Sequence, residues 1–418
     1  MNRQEDPSEE SEEISGEHVT IPESQKKAIL GIVFITIFLD FGGFSVLFPV
    51  LPIYASTLGA GPREIGLMMS LYAIAMLLFA PVWGFVGDRI GRRPVLLISL
   101  AGTVVSFVCL ALADSINGIY FARTLSGFFA ATIGTAQAVV TDITIKTERT
   151  RGMAVIGAAF GAGMTFGPFL GGSLAKVNAQ LPFFAVAGLA TVNWLFAFWK
   201  LPESRPRDLK KPPWNEFGRA FIPVPYRLIT AQLDTKFKCY LVLFFQSFTA
   251  FAVLESMVTL YARKKFGVGE WEAGLFFGWV GVCLTLTQGL LLRKLVPLID
   301  ELKLTISGLL LMALAIGVIP FLDSMTGCIG VGTVLAVGYG IAFPSLTSMF
   351  SKICTAENAG ELLGQSQSMA TTGRIVGPVL AGMLMHHIGL GAPFIGAGIL
   401  MALAACLLWK WKLKIVPS

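Results

Sequence analysis

The sequence predicts an all-α membrane protein of twelve transmembrane helices arranged as two six-helix, pseudo-symmetric halves. Three observations predict it. Of the 418 residues, 54% are hydrophobic and only 14% charged, where a soluble domain carries about 25% charge. Twelve apolar segments, each about long enough to cross a bilayer, lie at roughly 27–55, 65–85, 94–114, 117–140, 152–174, 181–200, 239–262, 272–292, 303–322, 327–350, 361–385 and 391–410. The third observation is an internal repeat. Tyr54 returns as Tyr261, Gly66 as Gly274, and Gly167-Pro168-x-x-Gly171-Gly172 as Gly377-Pro378-x-x-Ala381-Gly382, at offsets of 207, 208 and 210. Parallel halves of this kind are related by an axis along the membrane normal and hold their site at the interface.

In chain order, residues 1–25 are rich in glutamate without apolar periodicity and read as a disordered acidic tail. Residues 26–200 form the first six-helix half. Residues 201–238, dense in Pro, Lys and Arg, read as a linker with room for one amphipathic helix. Residues 239–411 form the second half, and 412–418 a short tail. The Lys and Arg residues orient the chain: 25 fall on the side of both termini and the linker, five on the opposite loops, and Arg123 and Arg374 inside helices. The positive-inside rule then makes both termini cytoplasmic and suggests the plasma (inner) membrane. The net charge of +6 thus reflects topology, and no nucleic-acid partner is expected.

Six scattered cysteines lack metal-ligand or redox spacing, and neither H-E-x-x-H nor a P-loop occurs. No metal, no cofactor and no enzymatic activity is therefore expected. A monomer working in the bilayer on a small molecule and protons is expected instead.

Between the second and third segments stands Gly84-Phe85-Val86-Gly87-Asp88-Arg89-Ile90-Gly91-Arg92-Arg93. Glycines suit a tight turn between helices, and its four charges must lie at a membrane face. One carboxylate within reach of several guanidiniums can act as a conformational latch, beyond fixing topology. Within the spans stand four charged residues, Asp40, Arg123, Glu255 and Arg374, which sum to zero. Asp40 lies mid-way along the first helix. A carboxyl there, held between desolvation and a wet cavity or nearby cation, can load and release a proton. Depth places Glu255 and Arg123 at a similar level, and Arg374 level with Asp40. The expected pairs are accordingly Glu255 with Arg123 and Asp40 with Arg374, either as a fixed network or with partners exchanged during motion. The fifth helix carries Gly157, Gly161, Gly163, Gly167, Pro168, Gly171 and Gly172, which favour close packing and a bend.

The pattern G-x-x-x-D-R-x-G-R-R resembles the loop signature of the major facilitator superfamily. The block Gly163-x-x-x-Gly167-Pro168-x-x-Gly171-Gly172 is similar to the motif of its antiporters. Leu39-Asp40 with Pro49-Val50-Leu51-Pro52, Leu71-Tyr72-Ala73 through Ala80-Pro81, Asp142-Ile143-Thr144 with Glu148-Arg149, and Leu201-Pro202-Glu203-Ser204 further resemble the twelve-helix drug/proton antiporters of the tetracycline/proton antiporter-like group. The resemblance spans residues 30–410. It implies the major facilitator fold, alternating access, and proton-coupled export of amphipathic or hydrophobic molecules, with the proton gradient as energy source. It also implies that Asp88 caps the eleventh helix and that Asp142 pairs with Arg93. The second half departs from the group: Gly289-x-x-x-Arg293-Lys294 has no Asp, the eighth helix no His and the ninth no deep Asp. The 32 phenylalanines and the aromatic Trp271, Phe276, Phe277 and Trp279 point to an amphipathic or hydrophobic substrate. Rival readings are a symporter or facilitator for a metabolite, lipid or siderophore, and a non-transporting sensor or scaffold.

Overall fold

The computed structural model describes residues 23–144, 148–204, 213, 235–353 and 359–415. The acidic tail before Glu23 and the helix expected in the linker lie outside the described residues. The helices are α1 Glu23–Thr57, α2 Pro62–Ile90, α3 Arg92–Ala111, α4 in two pieces (Ile116–Phe128 and Thr132–Ile143), α5 Arg149–Ala175 and α6 Leu181–Lys200. The second half comprises α7 Thr235–Phe266, α8 Glu270–Leu295 with a π turn at Thr287–Leu291, α9 Glu301–Phe321, α10 Met325–Ile353, α11 Ala359–His387 and α12 Ala392–Ile415. Among the described residues eleven helices are long and apolar enough to cross a membrane. The twelfth is α11, whose first half carries Gln365, Ser366, Gln367, Ser368, Thr371 and Thr372. Those polar residues lower its hydropathy, not its length. α7 begins at Thr235, within the stretch assigned above to the linker.

Equivalent helices in the two halves start and dock alike. α2 begins after Gly61, whose N–H donates to the Glu64 carboxylate at 2.9 Å. α8 begins after Gly269, whose N–H donates to Glu272 at 2.9 Å. Each satisfies an otherwise orphaned helix-start amide. Tyr54 donates its hydroxyl to the Ala113 carbonyl, and Tyr261 its own to Ile319.

The glycine motifs decide how the helices pack. A Cβ on Gly163 would sit 2.7 Å from the Phe38 carbonyl oxygen, and one on Gly167 would collide with Gly42 and Ser45. α5 therefore lies backbone to backbone on α1, beside Asp40. In the second half, Gly373 and Gly377 press α11 onto Phe245 and Thr249 of α7 in the same way.

The same motifs close the seam between halves. Gly274 of α8 meets the Pro168 carbonyl and Gly172 of α5; Gly66 of α2 meets the Pro378 carbonyl and Gly382 of α11. Lys176 over the Trp271 ring at 4.0 Å and the contact of Arg63 with His387 finish this seal. It lies at the end of the bundle opposite Glu23 and Ile415, the first and last described residues of α1 and α12.

Candidate functional site

Between the halves lies a cavity of about 40 Å³. It has room for water but not for a drug-sized molecule, which needs a pocket of about 300 Å³ or more. Its walls come from α1 (Phe44, Phe48), α2 (Met69, Tyr72, Met76), α4 (Arg123), α7 (Glu255, Ser256) and α11 (Arg374, Pro378). Three of the four charged residues expected inside the membrane thus meet at one cavity. The fourth, Asp40, lines an adjoining pocket of about 30 Å³ that shares Phe44, Tyr72 and Arg123 with the first.

Arg123 is 2% exposed. Its Nε donates to the Met68 carbonyl at 3.4 Å, and its guanidinium lies 4.7 Å from the Tyr72 ring centre. Arg374 lies over the Phe248 ring at 5.2 Å, and its buried Nε has no hydrogen-bond partner. A desolvated cation–π contact supplies about 2 kcal/mol, less than the several kcal/mol that a buried charge costs. An anion must make up the difference, and Glu255 is within its electrostatic reach.

This corrects both expected pairs. Neither expected ion pair forms among the described residues: Arg374 shares its cavity with Glu255, while Asp40 faces the Thr132 hydroxyl and, across its pocket, Tyr72 and Arg123. Depth along single helices could not show which helices adjoin. α11 is clamped to α7 through Gly373 and Gly377, which fixes Arg374 on the Glu255 side.

The bed under Asp40 comes from a break in α4 at Phe129–Ala131. The freed groups are caught by side chains. Trp83 donates to the Phe128 carbonyl at 2.6 Å, and Ser99 donates to Phe129 at 2.5 Å while accepting from the Ala131 N–H. Ser99 also meets Thr132 at 3.0 Å. The segment has no proline, and sequence reasoning missed the break along with Tyr72, Ser99 and Thr132 as site residues. The polar side chains of Ser99 and Thr132 within apolar spans were the available signal.

Trp271, Phe276, Phe277 and Trp279 do not line the central cavity. Trp271 packs on Phe169, Trp279 donates to Thr333, and Phe277 packs on Phe48. The cavity's aromatic walls are Phe44, Phe48 and Tyr72.

At the α2–α3 turn, Gly91 has φ +108°, a left-handed value that favours glycine. Asp88 pairs with Arg92 at 2.7 Å, and Arg92 Nε reaches Asp142 at 3.3 Å. Asp142 thus pairs with Arg92 where Arg93 was expected. Arg93 instead donates to the Phe198 carbonyl at 2.6 Å, among the open carbonyls at the end of α6. Arg89 and Gly84 lie in the last turns of α2. The expected contact of Asp88 with the start of α11 falls on residues 354–358, outside the described residues.

Glu203 has a role beyond the motif match: it accepts from the N–H groups of Arg92 and Arg93 at 2.8 and 3.2 Å, capping α3. Glu203→Ala is expected to cost about 1 kcal/mol of local stability, read as roughly fivefold faster amide exchange at these two residues. Unchanged exchange there would remove the cap from the account.

Comparison with known proteins agrees with this geometry. The profile of the Major Facilitator Superfamily matches residues 33–375. The chain is 31% identical over 367 residues to the tetracycline resistance protein, class D, of Salmonella ordonez, covering 85% of this chain and 88% of that protein. It is 28% identical over 393 residues to multidrug resistance protein 1 of Bacillus subtilis (strain 168), covering 93% and 97%. Among solved structures it superimposes with a TM-score of 0.76 on a bacterial homologue of the human lysosomal transporter Spinster, at 14% identity, covering 95% of this chain and all of that one. At that identity the likeness concerns the fold alone.

Proposed function

The chain belongs to the Major Facilitator Superfamily, as a multi-pass membrane transporter and not an enzyme, and we propose that it exports amphipathic or hydrophobic small molecules in exchange for protons. The observation that carries this reading is the pair of adjoining pockets between the halves. One holds Glu255 and Arg374 among aromatic and methionine side chains; the other holds Asp40. They share Arg123 and Tyr72, so a charge change at Asp40 is felt by the residues that face a substrate. The central cavity is too small for a substrate, and the end away from the termini is sealed by glycine contacts. Alternating access therefore requires the seam of Gly66, Gly172, Gly274 and Gly382 to part while the opposite end closes.

Asp40 is the proton-loading carboxylate in this reading, Glu255 a second one facing substrate, and the Asp88–Arg92–Asp142 cluster a latch at the terminal end. The glycine block of α5 is the bearing on which α1 and α8 move. The names of two relatives, a tetracycline and a multidrug resistance protein, support export as the direction. The Lys and Arg asymmetry supports a plasma-membrane protein with both termini cytoplasmic. The proton gradient serves as the energy source without a cofactor, and each monomer carries a complete pathway.

Proteoliposomes loaded with an amphipathic fluorescent amine, with an imposed pH gradient, test the reading. Transport should follow the gradient and stop with a protonophore. Transport equally fast without a gradient would replace exchange by facilitated diffusion.

A further inference from the structure

Glu255 and Arg374 present opposite charges to the same cavity without joining. Neither closes an ion pair among the described residues, although each lies within the other's electrostatic reach. The reason is the packing register. Gly373 abuts Phe245, Phe248 and Thr249, and Gly377 abuts Thr249 and Ala252, so α7 and α11 run parallel and Arg374 stands near the level of Phe248. Glu255 lies seven residues further along α7, about 10 Å at 1.5 Å per residue. Both helices are locked backbone to backbone, so the offset cannot be closed by sliding. Meanwhile the buried Arg374 Nε still has a donor to give.

Charge balance narrows what can fill the gap. Arg123, Arg374, Glu255 and Asp40 sum to zero when both carboxylates are ionised. A singly charged ligand would leave a net charge in a low-dielectric interior, whereas one that is neutral overall leaves the balance unchanged. A ligand carrying separated positive and negative groups would also satisfy both open partners at once.

Resting on the transport reading above, we infer that the central site, widened as the seam of Gly66, Gly172, Gly274 and Gly382 parts, selects a zwitterionic amphipath, with an amine at Glu255, a carboxylate at Arg374, and an apolar body between them against Phe44, Phe48 and Tyr72.

Three matched fluorescent probes test this: 6-(aminomethyl)-2-naphthoic acid, its methyl ester, which keeps only the amine, and 6-methyl-2-naphthoic acid, which keeps only the acid. Equilibrium binding is measured on the full chain in nanodiscs, without any gradient. The zwitterion should bind at least about tenfold more tightly than either partner, since each charged hydrogen bond is worth that much or more. Arg374→Gln should reduce its affinity to that of the ester for the unaltered protein, and Glu255→Gln to that of the acid. Thermal melts confirm that both variants are folded. Equal affinities for the three probes, including no binding of any, overturn the assignment, as does a preference untouched by both variants. Because binding is read without transport, a failed proteoliposome assay with intact zwitterion selectivity would remove the exchange reading and leave this one standing.

Discussion

Asp40→Asn should abolish proton-driven transport and leave a folded protein that still binds ligand at its central site. Asp40 lines its own pocket, apart from Glu255 and Arg374, so removing its charge leaves the ligand-facing walls in place. What the proposed exchange would lose is a carboxyl able to alternate between charged and neutral opposite Tyr72 and Arg123. A carboxyl inside a membrane span is costly to keep, and Asn retains its shape and hydrogen bonding to Thr132 while removing the proton. Transport under a pH gradient should fall to the rate seen without one, with probe affinity changed less than about twofold, since no charged contact of the order of 1.5 kcal/mol is removed from the ligand. Proton-driven transport at the unaltered rate would remove Asp40 from the mechanism. Lost binding along with lost transport would merge the two pockets into one functional unit.

Gly167→Val is the second large effect, and it separates the glycines of α5 by position. A Cβ at 167 would overlap the Gly42 carbonyl and the Ser45 hydroxyl, where backbone cannot move aside. Overpacking of this kind costs about 3 kcal/mol or more, and the displaced α1 carries Asp40 two residues away. Both the melting temperature and transport should fall sharply. Gly157 and Gly161, on the same helix, have open space where a Cβ would stand, with nothing within 4 Å. Gly157→Ala should be neutral or stabilising by about 0.5–1 kcal/mol, the usual gain of Ala over Gly in a helix. Similar losses at 157 and 167 would mean that α5 glycines matter for flexibility in general, not for the contact with α1.

The sequence reads closely to the fold where one helix suffices to decide. Hydropathy locates the spans, and the offsets of Tyr54, Gly66 and Gly167 locate their counterparts, which dock in the same manner. Even α11, the least apolar, is legible because its Gly377-Pro378 repeats that of α5. Contacts between helices are less legible. The four intramembrane charges stand out in the sequence, but their partners depend on which helices adjoin, and Arg374 faces Glu255. Arg92 and Arg93 are neighbours in sequence, yet only the position of the α6 end assigns one to Asp142 and the other to Phe198. The break in α4 carries no proline or glycine at its centre. It is stabilised by Trp83 and Ser99 from other helices, a tertiary cause that local pattern does not contain.

Exchange makes one prediction that neither co-transport nor diffusion shares. In proteoliposomes containing a pH-sensitive dye and no initial pH gradient, an outward gradient of an amphipathic amine or zwitterion should drive protons inward through the unaltered protein. In Asp40→Asn the proton signal should vanish. Protons moving outward together with the ligand, or no proton movement while the ligand crosses, would contradict the account.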